Sequence, residues 1–261
     1  MIHPSSIISN KAEIDPSTNI GPYCIIGDNV KIGNENVLIS HVNIVGNTEI
    51  GNGNKFYPFS SIGTNPQDLK YKGEKSYIKI GNYNTFRESV TVNPGTQGGG
   101  LHTIIKNNCL FMVGAHIAHD CQIRSNVILA NNATLAGHVE IDDYAIIGGN
   151  SAVHQFVNIG KNAMIGGMSG VEKNIIPYGL YTGIRCNLKG LNIVGLKRKG
   201  LSNKDILTIR TATNSIFNIN SSIEVNIKDL DDKLKLITEI KDIINFILKN
   251  KKRGICVLSN D

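Results

Sequence analysis

The chain has 261 residues, 41% hydrophobic and 18% charged, with 27 Gly, 7 Pro and no Trp. That balance supports a packed fold of one large domain or a large and a small one, and it excludes disorder along the whole chain and a collagen-like repeat. A net charge of +6 and a pI near 9.0 permit an acidic partner, and no run approaches the roughly 18 unbroken apolar residues of a membrane-spanning helix.

The first residues, Met1 to Asp15, show no basic segment followed by an apolar one, so no secretory signal is expected and the chain reads as cytoplasmic. From Ile2 an apolar residue recurs every sixth position: Ile8, Ile14, Ile20 and onward to Ile62. The pattern resumes at Ile80, Phe86 and Val92, then restarts in a shifted phase at Ile105 and runs unbroken to Val171. Twelve such hits in a row arise by chance roughly twice in a hundred thousand trials at this composition. A helix is excluded, because a period of six scatters the apolar residues around a 3.6-residue turn. The period instead predicts a short strand, a corner and another short strand, with three hexads closing one triangular coil and coils stacked about 4.8 Å apart.

The residue at position five of the hexad is usually small or short, as at Ala12, Thr18, Cys24, Cys109, Ala133 and Ser169, and is expected to point inward. Position four favours Asn, Asp or Gly, as at Asn29, Asn47, Gly114, Asp120, Asn126 and Asn150, residues that tolerate the left-handed conformation of a sharp corner. Hexads of this kind resemble those of the left-handed β-helix. The handedness is what that resemblance implies, since the general rule favours right-handed crossovers.

Two insertions interrupt the pattern, near 63–79 (TNPQDLKYKGEKSY) and near 93–103 (NPGTQGGGLH), and are predicted to leave as loops on one face. After Pro177 the pattern stops. Ser202-Asn203-Lys204-Asp205 predicts a capping box opening a helix to about Phe217, and Leu230, Leu234, Ile237, Ile240, Ile244 and Ile247 stand at helical spacing between Glu224 and Lys249. The expected organisation is an all-β solenoid over 1–187 followed by a small all-α domain over 188–261 that caps the last coil.

The histidines share a phase. His119, His138 and His154 fall in hexads that begin 18 residues apart, one coil each, and His116 sits just before that side of the prism. Their placement predicts a functional edge, set against solvated imidazoles at turns. Three chemistries compete there. A zinc site needs three or four converging ligands, which spacing does not establish. General base catalysis needs one imidazole oriented by a carboxylate, which His119-Asp120 supplies. Cys121 is a weaker candidate as nucleophile, because its hexad position points inward. The five cysteines, Cys24, Cys109, Cys121, Cys186 and Cys256, are odd in number and lack a C-x-x-C, against a disulfide framework or a zinc ribbon. Gly98-Gly99-Gly100 lacks the strand–GK[ST]–helix context of a phosphate loop and reads as a flexible loop.

Several longer segments carry a resemblance along nearly the whole chain: NPQDLKYKGE (Asn65 to Glu74), GAHIAHDC (Gly114 to Cys121), ILANNATLAGHVEIDDYAIIGG (Ile128 to Gly149), AVHQF (Ala152 to Phe156) and LNIVGLKRKG (Leu191 to Gly200). With them the sequence resembles the UDP-N-acetylglucosamine acyltransferases, which begin lipid A synthesis in Gram-negative bacteria. The resemblance implies a homotrimer that transfers a 3-hydroxyacyl chain from the phosphopantetheine of acyl-carrier protein to the sugar 3-hydroxyl, with no cofactor or metal.

It further implies His119 as general base, Asp120 as its orienting carboxylate and the Gly137 N–H in the oxyanion hole. Asp68 and Lys70 would meet sugar and phosphate. His116, His138, His154 and Gln155 would line the nucleotide-sugar and acyl sites, Gly167 would set acyl-chain length, and Asn192 and Arg198 would meet donor and nucleotide. Lys197, Arg198 and Lys199 together with Lys249, Lys251, Lys252 and Arg253 suit an acidic acyl-carrier protein; nucleic acid is not expected, for want of interleaved aromatics. Val194 stands where an acidic residue is expected, and Asn93-Pro94 and Ile184-Arg185 also depart from the family pattern. Three alternatives remain: an N-acyltransferase acting on a UDP-amino sugar or 3-amino analogue, a β-helical zinc enzyme of carbonic anhydrase type, and a non-catalytic scaffold.

Overall fold

The structure is a computed structural model and describes residues 1–257, so 258–261 of the expected helical domain lie outside the described residues. The apolar residue of each hexad takes the inner side of a two-residue strand and its predecessor faces out, as in Asn19–Ile20, Val37–Leu38 and Glu140–Ile141. These strands assemble into three sheets of nine, eight and ten strands, visited in turn by the chain. The first sheet begins at Ile7–Ile8, the second at Glu13–Ile14 and the third at Asn19–Ile20. The result is a left-handed parallel β-helix with a helical cap.

Register confirms the six-residue period. Ile7 pairs with Ile25, 18 residues on, whereas Asn47 pairs with Tyr77 across the first insertion and Tyr77 with His102 across the second. Both insertions leave the corner between the first and second sheets, the first after the strand Ser61–Ile62 and the second after Thr91–Val92. The coil therefore closes on schedule while two loops stand out from one edge.

Inside, side chains stack coil on coil. Phe56, Phe86 and Phe111 form a column with ring centroids 4.7 and 4.9 Å apart, the spacing expected of adjacent strands. The short position-five residues are buried beside such columns. Where that position holds Asn36, Asn54 and Asn84, the three amides form a buried ladder: Asn54 and Asn84 each donate to the Oδ1 of the Asn one coil back, and the Asn84 Oδ1 accepts the Cys109 N–H.

The corners correct one expectation. Asp120, Asn126, Asn132, Asn150 and Asn162 do take positive φ, but Asn29 and Asn47 do not. Val30 joins a longer strand directly after Asn29, and at the other corner Gly46 takes the left-handed turn one residue early. Tyr23, Phe59, Tyr83, Tyr144 and Phe156 also adopt positive φ. Each carries a conformational cost of about 1–2 kcal/mol, met by a corner bonded on both sides to its neighbouring coils.

After the strand Met164–Ile165 the third sheet ends in an antiparallel hairpin, Gly179–Thr182 with Asn187–Leu191, which the six-residue period does not announce. A short helix α1 (Ile193–Arg198) follows, then α2 (Asn203–Ile216), opened by the expected capping box between Ser202 and Asp205. The apolar stretch expected from Glu224 to Lys249 is three helices rather than one: α3 (Ile223–Asp229), α4 (Asp232–Lys235) and α5 (Thr238–Lys249). Asp231 accepts from the Lys233 N–H and so restarts the helix locally. Ile240 and Ile243 of α5 are fully buried, and Asp242 accepts from Tyr178 and pairs with Lys161 of the last coils, each at 2.6 Å.

Candidate active site

His119 follows the buried Ile117 by two residues at the corner between the first and second sheets, and Asp120 occupies the left-handed position there, with φ of 60°. That turn brings the two side chains together, His119 Nδ1 lying 2.8 Å from Asp120 Oδ2. Both residues are buried. The Asp120 N–H donates to Thr103 Oγ1 at 2.9 Å, and Thr96 donates to the carboxylate from its N–H and its hydroxyl. Burial pushes the Asp120 carboxyl up, but hydrogen bonds from His119 and from Thr96 outweigh it and hold the group below its ordinary value. An ionised Asp120 can only accept, so the shared proton sits on Nδ1 and Nε2 is the basic ring nitrogen. Nε2 has no hydrogen-bond partner among the described residues. It faces Asp68 of the first inserted loop, whose Oδ2 is 3.9 Å away, beyond direct bonding.

The next coil builds the floor. A Cβ on Gly137 would lie 2.4 Å from His119 Cε1, so only glycine lets the backbone approach the ring here. His138 meets His119 edge-on with centroids 5.0 Å apart and stacks on Phe156 at 4.4 Å. Burial lowers the His138 pKa, with the Asp120 charge opposing it. His116 hydrogen-bonds Thr91 at 2.7 Å and is lowered by burial and by its neighbour His119. These imidazoles are thus biased toward the neutral form. Lys70 donates its backbone N–H to Asp68 Oδ1 at 3.0 Å, which fixes the loop's turn.

The remaining expected residues lie further out. His154 is on the same sheet, but its Nδ1 contacts the Arg253 guanidinium of the C-terminal segment, and Gln155 beside it is exposed. Gly167 sits at the corner between the third and first sheets, against Gly149. Asn192 and Arg198 are on another wall altogether. They line a cavity of about 980 Å³ over the outer face of the third sheet, with Ile128, Ile146 and Met164. There Asn192 caps α1, accepting from the Gly195 N–H and donating to the Asn162 carbonyl.

Burial and contact bear on three other residue readings. Cys121 is fully enclosed and its thiol is pushed up to about 12 by burial, which removes it as a nucleophile. Of Gly98-Gly99-Gly100, Gly98 and Gly100 are exposed with open space where a Cβ would lie, and Gly99 alone is packed. Gln97–Gly99 form a 3₁₀ turn whose Gly99 packs so tightly on Asp120 that a Cβ would lie 2.0 Å from the carboxylate carbon. His119, Asp120 and His138 offer ligand atoms within 4.8 Å of one another, but Asp120 already accepts from His119 and Thr96.

A second cleft, of about 1290 Å³, starts at Asp120, His138 and Phe156 and runs to Lys173, Lys249 and Arg253. Of the departures from the family pattern, Val194 is exposed at the third-sheet cavity and Arg185 is ion-paired with Glu172 in the hairpin turn. Asn93 is buried and donates to the Thr64 carbonyl at 3.0 Å, bracing the first inserted loop.

Comparison with known proteins places the chain in a family. The family described as Udp N-acetylglucosamine O-acyltransferase, Domain 2, matches residues 174–256, and the bacterial transferase hexapeptide family (six repeats) matches residues 102–137. A curated protein of Thermodesulfovibrio yellowstonii named acyl-[acyl-carrier-protein]–UDP-N-acetylglucosamine O-acyltransferase is 50% identical over 98% of this chain and 98% of its own. One of the same name from Rickettsia bellii is 52% identical over 98% of this chain and 91% of its own.

The chain belongs to the UDP-N-acetylglucosamine O-acyltransferase family.

Solved structures of the family agree throughout. The Francisella novicida UDP-N-acetylglucosamine acyltransferase superposes with a TM-score of 0.95 at 36% identity, over 100% of this chain and 95% of that one. The Campylobacter jejuni enzyme superposes with a TM-score of 0.92 at 36% identity, over 99% and 100%. In this member of the UDP-N-acetylglucosamine O-acyltransferase family, sequence reasoning missed Thr96, Thr103 and Gly99, which clamp Asp120, and Phe156, which backs His138. Their one visible signal is the loop's departure from the same edge as the histidines. Among the described residues no helix is long and apolar enough to cross a membrane.

Proposed function

We propose that this chain transfers a 3-hydroxyacyl group from acyl-carrier protein to the 3-hydroxyl of UDP-N-acetylglucosamine, in the cytoplasm and as the first step of lipid A synthesis. The observation that carries the mechanism is the His119–Asp120 pair, with Nδ1 committed to the carboxylate and Nε2 directed at the loop bearing Asp68. His119 Nε2 takes the proton of the attacking hydroxyl as its oxygen bonds to the thioester carbonyl carbon. When the C–S bond breaks, the same proton passes from Nε2 to the departing sulfur, releasing the carrier's thiol and restoring the neutral imidazole. Gly137 packs against the imidazole so closely that no side chain fits, and its N–H would donate to the developing oxyanion, as the resemblance implies. Asp68 and Lys70 would meet the sugar nucleotide from the loop above; His138 lines the cleft beside His119, and His116, His154 and Gln155 would extend the binding surface along the same side. No metal or cofactor takes part, a reading supported by the hydrogen bonds from His119 and Thr96 that Asp120 already accepts.

The working unit is a homotrimer. His119 and the Asn192–Arg198 cavity lie on different walls of one prism, so a single chain does not enclose both ends of a nucleotide sugar and an acyl chain. The outward residues of the first sheet are uncharged (Ser61, Thr91, Thr134, Ala152), and those of the third sheet include Ile128, Ile146 and Met164. The second sheet instead shows Glu13, Lys31, Glu49 and Lys79. The first and third faces suit a subunit contact and the second suits water. Acyl-carrier protein is acidic by the resemblance, and Lys249, Lys252 and Arg253 at the mouth of the 1290 Å³ cleft would steer it.

Mass spectrometry of products tests the assignment. Purified protein given UDP-N-acetylglucosamine or its 3-amino analogue, with acyl-carrier proteins of graded chain length, is expected to yield the 3-O-ester. Turnover should survive dialysis against EDTA. His119→Ala should lower turnover by about 100-fold or more while the fold persists. An amide formed only from the amino sugar would replace the acceptor assigned here, and near-normal turnover by His119→Ala would remove the base.

A further inference from the structure

The second inserted loop turns two consecutive amides toward two different carboxylates. The Thr96 N–H donates to both oxygens of Asp120, at 3.0 Å each, and the Thr96 hydroxyl donates to Oδ2 at 2.7 Å. The next amide, Gln97 N–H, donates at 3.0 Å to Glu74 Oε1 in the first inserted loop. The other Glu74 oxygen accepts the Lys72 N–H at 2.8 Å, so Glu74 closes its own loop and fastens it to the second. Thr96 is 5% exposed and Asp120 4%, and Gly99 seals the remaining side of the carboxylate.

We infer that Thr96 is a positioning residue for the transfer: it holds the Asp120 carboxylate so that His119 keeps its proton on Nδ1 and presents a bare Nε2. This rests on the reading of His119 as base. The reason is geometric. A lone Asp–His contact leaves the carboxylate able to rotate and the imidazole able to change tautomer. Here Oδ2 is shared between the Thr96 hydroxyl and His119 Nδ1, and the Asp120 main chain is fixed by Thr103. Three donors from Thr96 and His119 leave one orientation in which every bond is made, and in low-dielectric surroundings losing one is costly. Glu74 holds the clamp in place from the loop that carries Asp68 and Lys70, so Glu74 and Thr96 tie the sugar-facing loop to the dyad without themselves meeting the reacting atoms.

Thr96→Val removes the hydroxyl and keeps shape and main-chain bond; Thr96→Ser restores the hydroxyl. We expect Thr96→Val to lose roughly 10- to 100-fold in kcat with little change in either KM, because Thr96 meets no substrate. Thr96→Ser should run close to the wild-type rate. The far-downfield proton resonance of His119 Nδ1–H, assigned by its loss in His119→Ala, should be present in wild type and Thr96→Ser and shifted or absent in Thr96→Val. Wild-type kcat in Thr96→Val overturns the inference, as does a loss of rate shared by Thr96→Ser with the resonance unmoved, which marks a merely structural residue. His119→Ala assayed alongside separates the two readings. Activity in that variant sinks the base assignment, whereas an inactive His119→Ala beside a fully active Thr96→Val sinks only the clamp.

Discussion

At His119 the decisive fact is which ring nitrogen is committed. Asp120 is held ionised against the pull of burial by the hydrogen bonds of His119 and Thr96, and an ionised carboxylate fixes the proton on Nδ1. The opposite nitrogen is left as a base near a loop able to bring in a hydroxyl. Gly137 makes the same point from below. Its φ is not positive, so a side chain is forbidden there only by the imidazole, whose Cε1 would lie 2.4 Å from a Cβ. Gly137→Ala should therefore fold normally, displace the ring and cut turnover by about 100-fold, a loss to be read against an unchanged thermal midpoint. Unchanged turnover would mean that neither the ring position nor the Gly137 N–H matters to the reaction.

At the scale of the element, the hexad does most of the work and its limits are physical. The inward ladder, the coil length and the common edge of His119 and His138 follow from counting by six, because the strand side chains alternate and each coil repeats the last. What sits in the insertions does not follow. Thr96 and Gly99 reach Asp120 only after the loop folds back over a corner, and no periodicity reports such a return. The corners were half legible: Asn and Gly mark the left-handed turn at Asn126 and Gly114, but Tyr23 and Phe59 occupy it equally, since the stacked coils impose the conformation whatever the residue. The break between α3 and α4 was hidden because the apolar spacing runs on across Asp231, whose side chain ends the helix by capping the next. The interior column carries a direct energetic consequence. Phe86, fully buried between Phe56 and Phe111, has ring neighbours above and below, so Phe86→Ala should cost about 3–5 kcal/mol in chemical denaturation. A cost below about 1 kcal/mol would show that the coils close over the gap and that the column is not a stabilising feature.

For the whole molecule, the arrangement of walls matters more than any single contact. Both inserted loops, the His119–Asp120 pair and His138 gather on the edge between the first and second sheets, and Asn192 and Arg198 lie over the third. One chain therefore holds two candidate half-sites on different walls, and in the trimer proposed above three chains around an axis would bring each half against the other half of a neighbour. Counting by six does not place Arg198 against a wall, because it lies beyond Pro177, where the period has stopped. The sequence showed the halves and the prism shows their separation. Asn192 illustrates the remaining ambiguity of sequence: its side chain caps α1 and ties it to Asn162, a structural duty that a role at the ligand would have to share.

Complementation between inactive protomers tests this account most directly. His119→Ala and Arg198→Ala, each assayed alone, should be severely impaired. Co-expressed in equal amounts, they should recover about a quarter of the wild-type turnover per protomer, because every mixed trimer then contains one site built from an intact His119 and a neighbour's intact Arg198. A mixture no more active than its two components, in particles shown by light scattering to be mixed trimers, would contradict a site shared between subunits.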